Sequence, residues 1–151
     1  MTEGFEMYQK VLVPLDGSEL AECALPHVRN LLRCGYTAEV ILLNVIEFPS
    51  LYIAKGYDLT TIQALISKSV KKYFADLESR FKEEGVKVKS VILAGNAPQS
   101  IIQYARENDI DLIVIATHGY TGMKQLMFGS VALKVLHDAH VPVLLIRPDS
   151  I

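Results

Sequence analysis

The chain reads as an α/β domain built on a single doubly wound, five-stranded parallel sheet in the order 3-2-1-4-5. Three observations predict this. Val11-Leu12-Val13, Val40 to Ile46 and Leu112 to Ala116 are apolar runs without polar alternation, as in strands covered on both faces. Stretches with apolar residues at helical spacing lie between them, so strand and helix alternate, which implies parallel pairing through right-handed crossovers. In 86–94, Lys87 and Lys89 alternate with Val86 and Val88, a pattern suited to an edge strand. That edge makes strands 1 and 4 neighbours at the switch point, where such sheets bind ligands beyond their carboxyl ends.

Residues 1–8 read as a tail, and Lys10 to Leu15 gives the first strand, stopped by Pro14. Asp16-Gly17-Ser18 is a turn in which Ser18 or Asp16 caps a helix with Leu20, Ala21, Ala24, Leu25, Val28, Leu31 and Leu32 on one side. Pro26 falls about two turns in, where it removes an amide and crowds a carbonyl, so a bent helix is expected. Gly35 ends that helix, 38–46 is the second strand, and 47–60 is a long irregular loop of the kind that serves as a lid or a mobile segment. Thr61 to Glu84 is the longest helix. Its stripe of Ile62, Leu65, Ile66, Val70, Tyr73, Phe74, Leu77 and Phe81 is read as core throughout. Gly85 closes it before the third strand, and Pro98 suits the first turn of a short helix, Gln99 to Glu107. The fourth strand, a glycine-bearing loop, a helix from Val131 to Ala139 and a fifth strand from Val143 to Ile146 complete four helices and five strands.

At 151 residues, half of them hydrophobic, the chain fits one domain spanning 1–151 with a sizeable core. Its 15 basic and 17 acidic residues are interspersed and leave a net charge of −2, so no electrostatic footprint for nucleic acid or an acidic membrane is expected. Lys68, Lys71 and Lys72 read as a solvated helix face. Cys23 and Cys34, if on one helix, lie about 16 Å apart, beyond disulfide reach. No apolar run has the length of a membrane span or of a signal peptide core, so a cytoplasmic location is expected.

Several chemistries fail on spacing. There is no Gly-x-x-x-x-Gly-Lys-Ser/Thr loop, no Gly-x-Ser-x-Gly elbow and no dinucleotide fingerprint after the first strand. His27, His118, His137 and His140 have no metal-ligand spacing, so no metal site of protein ligands is assigned. No catalytic residue is assigned either, because His118 has no identifiable orienting partner and the loop offers little positive charge beyond Lys124. At most slow hydrolysis is expected.

What remains is the end of the fourth strand. Gly119, Gly122 and Gly129 permit turns and close backbone approach, and Ser130 is placed to cap the next helix, whose first amides attract anions. Asp16 has two readings, a turn or cap residue and a hydrogen-bond acceptor for a nucleoside at the switch point.

Thr117-His118-Gly119, nine residues, then Gly129-Ser130-Val131, with Lys134-Val135-Leu136 and Val141 to Ile146, strongly resembles the universal stress protein family over about the last quarter of the chain. The nucleotide-binding members carry glycine, two residues, glycine, nine residues, then glycine with serine or threonine. Gly119, Gly129 and Ser130 match, and Ala116 stands at the first glycine. The resemblance implies a Rossmann-like, adenine nucleotide alpha hydrolase-like fold that binds ATP or a related adenine nucleotide as a regulatory ligand, with Mg2+ or Mn2+ carried by the phosphates. It places Pro14, Leu15, Asp16 and Val45 against the nucleoside. Ile115, Ala116, Thr117, His118, Gly119, Tyr120 and Thr121 would surround ribose and phosphates, and Gly129, Ser130 and Val131 would hold the phosphate chain. Some members of the family are nucleotide-free dimeric interaction modules, which is the alternative reading. The uncharged edge from Val143 to Ile146 predicts a homodimer through strand 5, an arrangement the family resembles.

Overall fold

The computed structural model describes residues 8–35, 37–48, 53–119 and 128–149, with the side chain of Ala38 left aside. Its five strands are β1 (Tyr8–Pro14), β2 (Thr37–Ile46), β3 (Lys87–Ala94), β4 (Leu112–Ala116) and β5 (Val143–Ile146). They form one sheet in the order β3-β2-β1-β4-β5, every pair parallel, as the apolar runs predict. The helices are α1 (Glu19–Glu22), α2 (Leu25–Arg33), α3 (Leu59–Glu83), α4 (Ala97–Glu107) and α5 (Ser130–Asp138). Val11, Val13, Val40 and Leu42 turn to one face, where they pack with Val28, Phe74, Leu77 and Phe81. Leu12, Ile41, Leu43 and Ile113 turn to the other, with Ile101, Ala105 and Val135. The period-2 geometry of a strand thus feeds two separate cores, which is why the central runs lack polar alternation.

The structure corrects several sequence expectations. Tyr8 is not tail: it opens β1 opposite Thr37, and the Asp111 carboxylate holds this end by accepting from the Gln9 and Lys10 amides at 2.7 and 2.8 Å. Residues 1–7 lie outside the described residues, as do 49–52 of the long loop. Pro26 does not bend one helix but separates two. α1 stops at the Cys23-Ala24 turn, and Pro26 takes a place in the first turn of α2, where its missing amide costs nothing. The stretch read as one helix is therefore two. α3 starts two residues earlier than predicted, because Asp58 caps it by accepting from the Thr60 and Thr61 amides at 3.1 and 3.4 Å. Similarly, Asn96 caps α4 through the Gln99 amide at 3.2 Å, so that helix begins at Ala97.

The long stripe on α3 is core only in its second half. Phe74, Leu77 and Phe81 are buried, whereas Leu65 is 66% exposed and Ile66 37% exposed. The reason is length: 25 helical residues rise about 37 Å, against roughly 26 Å for the eight residues of β3. α3 runs antiparallel to the strands it covers, so its first turns overhang their carboxyl ends. β3 is the guarded edge expected, with Lys87 and Lys89 exposed and Lys87 3.8 Å from Glu39. Cys23 and Cys34 are both free thiols at the ends of different helices, and burial, with Asp149 nearby, pushes the Cys23 thiol up from its ordinary range. No described helix is long and apolar enough to cross a membrane.

Candidate functional site

β1 and β4 are adjacent, and the crossovers on their two sides go in opposite directions. A cavity of about 740 Å³ opens there, at the carboxyl ends of β1, β2 and β4. This is a volume ordinary for a small-molecule site. Pro14, Leu15 and Asp16 enter it from β1, Val45 from β2, and Ile115, Ala116, Thr117, His118 and Gly119 from β4, with Gly129, Ser130 and Val131 from the start of α5. Of the site residues marked by the sequence, Tyr120, Thr121 and Gly122 lie outside the described residues, and the twelve just named line this cavity.

The turn after β1 is built by its own side chains. Asp16 Oδ1 accepts from the Ser18 amide at 2.9 Å and from the Ser18 hydroxyl at 2.5 Å. Ser18 Oγ in turn accepts from the Ala21 amide at 3.1 Å. Ser18 is therefore the cap of α1, and Asp16 fixes Ser18. Gly17 between them has φ 87°, a conformation that side chains rarely adopt. The Asp16 carboxylate also reaches across the switch point to the glycine loop, since a Cβ on Gly119 would collide with its Oδ2. Strands 1 and 4 thus meet through a bare backbone.

Gly129 is required for a similar reason. A Cβ there would stand 2.9 Å from the Thr117 carbonyl oxygen, which already accepts the Gly129 amide at 2.5 Å. The helix that follows differs from expectation at its first residue. Gly129, not Ser130, is the N-cap of α5, Ser130 is its first helical residue, and among the described residues no side chain bonds to its leading amides. Those amides are thus left for a ligand or water. Thr117 and His118 are buried beside them, the Thr117 hydroxyl 2.8 Å from His118 Nδ1.

Sequence reasoning missed Asn44 and Glu47. Asn44 lies inside an apolar run and is 6% exposed, with its amide donating to the Leu15 carbonyl at 2.8 Å. Glu47 accepts from the Ala97 amide at 2.5 Å, so a carboxylate fills the start of α4. It was missed because its partner lies 50 residues away. The overhang of α3 supplies Ile66, Val70 and Tyr73 as an apolar wall, and the Tyr73 hydroxyl donates to Glu22 at 2.7 Å. Among the described residues no group of His, Cys, Asp and Glu is arranged to hold a metal.

A single doubly wound sheet with a ligand-sized cavity at its switch point, floored by glycine backbone and a helix start, defines a small-molecule-binding α/β domain. The sequence pattern of the universal stress protein family matches residues 7–147, and the chain belongs to that family. Universal stress protein MJ0577 of Methanocaldococcus jannaschii is 32% identical over 156 aligned residues, covering 93% of this chain and 96% of that protein. A solved structure of MJ0577 superposes with a TM-score of 0.83 at 29% identity, over 96% of this chain and 99% of that one. The Arabidopsis thaliana family protein At3g01520, solved with AMP bound, shares the fold at a TM-score of 0.65 and 18% identity, over 94% of this chain and 93% of that one.

Proposed function

We propose that this chain binds ATP or a related adenine nucleotide as a regulatory ligand. One observation carries the reading: the cavity places the uncapped start of α5 and the side-chain-free backbone of Gly119 and Gly129 opposite Asp16, across adjacent strands. Phosphates would go to the Ser130 and Val131 end, where the helix start favours an anion and no Cβ at 129 intrudes. Asp16 would accept from the nucleoside, and the strand end at Val45 would border the base. Asp16 and Glu47 are the charged side chains among the described lining residues, and both are acidic. A divalent cation carried by the phosphates would offset them. The same fold holds AMP in the Arabidopsis protein and cAMP in another universal stress protein, at 18% and 20% identity. At that distance those structures speak to the fold, so the case rests on this chain's own cavity. Isothermal titration of ligand-stripped protein with Mg-ATP tests it: saturable binding supports the reading, and no heat of binding at millimolar ATP rejects it.

The chain acts as a binding protein in this reading, with at most slow hydrolysis. No described cation clamps the phosphate end. A homodimer through β5 belongs to the same proposal. Among the described residues β5 pairs only with β4, Leu144 on it is 38% exposed, and α5 leaves Leu133 53% and Leu136 44% exposed. An apolar edge of this kind is a template for pairing with a second copy. Sedimentation equilibrium at micromolar concentration tests it, and a mass of one chain rejects it.

A further inference from the structure

Asn44 stands where the sequence has no use for a polar residue. It interrupts the apolar run of β2, is buried to 6% exposure, and borders the ligand cavity. Its amide nitrogen donates to the Leu15 carbonyl at 2.8 Å. That bond fixes which way the carboxamide faces, because a flipped side chain would set two oxygens against each other. The side-chain oxygen is therefore turned away from Leu15, and among the described residues it accepts no hydrogen bond. It is not sealed in protein either: the wholly occluded, unpaired side-chain atoms among the described residues are Thr37 Oγ1 and Ser90 Oγ. An oxygen on a side chain this buried, yet not occluded, faces the open space that Asn44 borders.

We propose that the Asn44 side-chain oxygen accepts a hydrogen bond from an amino group on the base of the ligand and so selects adenine over guanine. This rests on the adenine nucleotide reading of the cavity. Register places the contact at the base. Phosphates at the start of α5 lie beyond β4, Asp16 leaves β1, and β2 lies two strand spacings from β4, roughly 10 Å away. A nucleotide laid across the strand ends thus brings its sugar over β1 and its base over β2. Ile66, Val70 and Tyr73 then offer apolar surface to the ring, and Asn44 offers an acceptor. Adenine presents an amino donor on its six-membered ring where guanine presents a carbonyl. A guanine base in the same pose would set oxygen against oxygen, and the buried acceptor would stay unpaired, which is how a polar site rejects a near-isostere.

The test is a cycle in ligand and protein. Wild-type protein and Asn44→Leu, which keeps the branched shape and heavy-atom count of the side chain, are titrated with ATP, GTP and purine riboside triphosphate, the last being ATP without its amino group. Wild-type protein should bind the analogue about fivefold to tenfold more weakly than ATP, the worth of one hydrogen bond, and GTP more weakly still. In Asn44→Leu the two adenine-type ligands should bind alike. Loosening of the Leu15 turn by the substitution would weaken both ligands by one factor and leave their ratio unchanged, so equal ratios in the two proteins overturn the proposal. A wild-type ratio near one overturns it without any variant. ATP bound with either of those outcomes leaves the nucleotide reading intact, whereas no ATP binding by wild-type protein removes both.

Discussion

Two of the helices that begin at this cavity, α4 and α5, treat their first amides in opposite ways. α4 is closed by protein: the Asn96 side chain takes the Gln99 amide, the Glu47 carboxylate takes the Ala97 amide, and Pro98 brings no amide at all. α5 is open, with glycine at its cap and, among the described residues, no side chain bonded to its leading turn. The partial positive charge of a helix start is common to both. Only α5 leaves it for an anion. In the proposed reading a phosphate site is specified as much by closing the wrong helix as by opening the right one, and the pairing would give a bound nucleotide one direction.

The contrast can be broken most sharply at the open helix. Gly129→Val puts a side chain against the Thr117 carbonyl and should lower ATP affinity at least about a hundredfold, roughly 2.7 kcal/mol. Helical content by circular dichroism should stay nearly intact, and undiminished affinity would refute the pose. At the closed helix the same logic predicts a stability effect instead. Asn96→Ala should cost about 1 kcal/mol in urea unfolding, the worth of a cap, with ATP affinity unchanged. The smallest effect separates the two ends. Ser130→Ala should leave stability within about 0.5 kcal/mol, because that side chain caps nothing, and a loss as large as that of Asn96→Ala would mean that α5 is closed after all.

How much of this was legible beforehand follows from where each signal resides. Apolar runs and helical stripes are local, so the strands, their parallel order and the glycine loop could be read directly, including the edge position of the strand with Lys87 and Lys89. Pro26 misled because its effect depends on whether the chain can stop and restart. A bend and a break share the same missing amide, and the Cys23-Ala24 turn decided for the break. Ser130 misled by one residue, since Gly129 already provides the extended cap. Asn44 and Glu47 carry no periodic signal. Their partners, Leu15 and Ala97, are set by the register of β1 on β2 and by the return of the chain after β3, which only the assembled sheet supplies.

The overhang of α3 gives one helix two local stabilities. From Phe74 to Phe81 it is anchored on the sheet, so releasing those amides to solvent means opening the core itself. From Leu59 to Ser67 no side chain is buried, so this end leans chiefly on the helix's own hydrogen bonds and the Asp58 cap, and an isolated segment of that length is marginal in water. Amide hydrogen exchange should accordingly run at least about tenfold faster in the first segment than in the second. Because Ile66, Val70 and Tyr73 also wall the cavity, a ligand seated there would lend the frayed end the packing that the sheet does not reach. The slowing of exchange in those few turns would then record occupancy at the surface of the protein, far from β5.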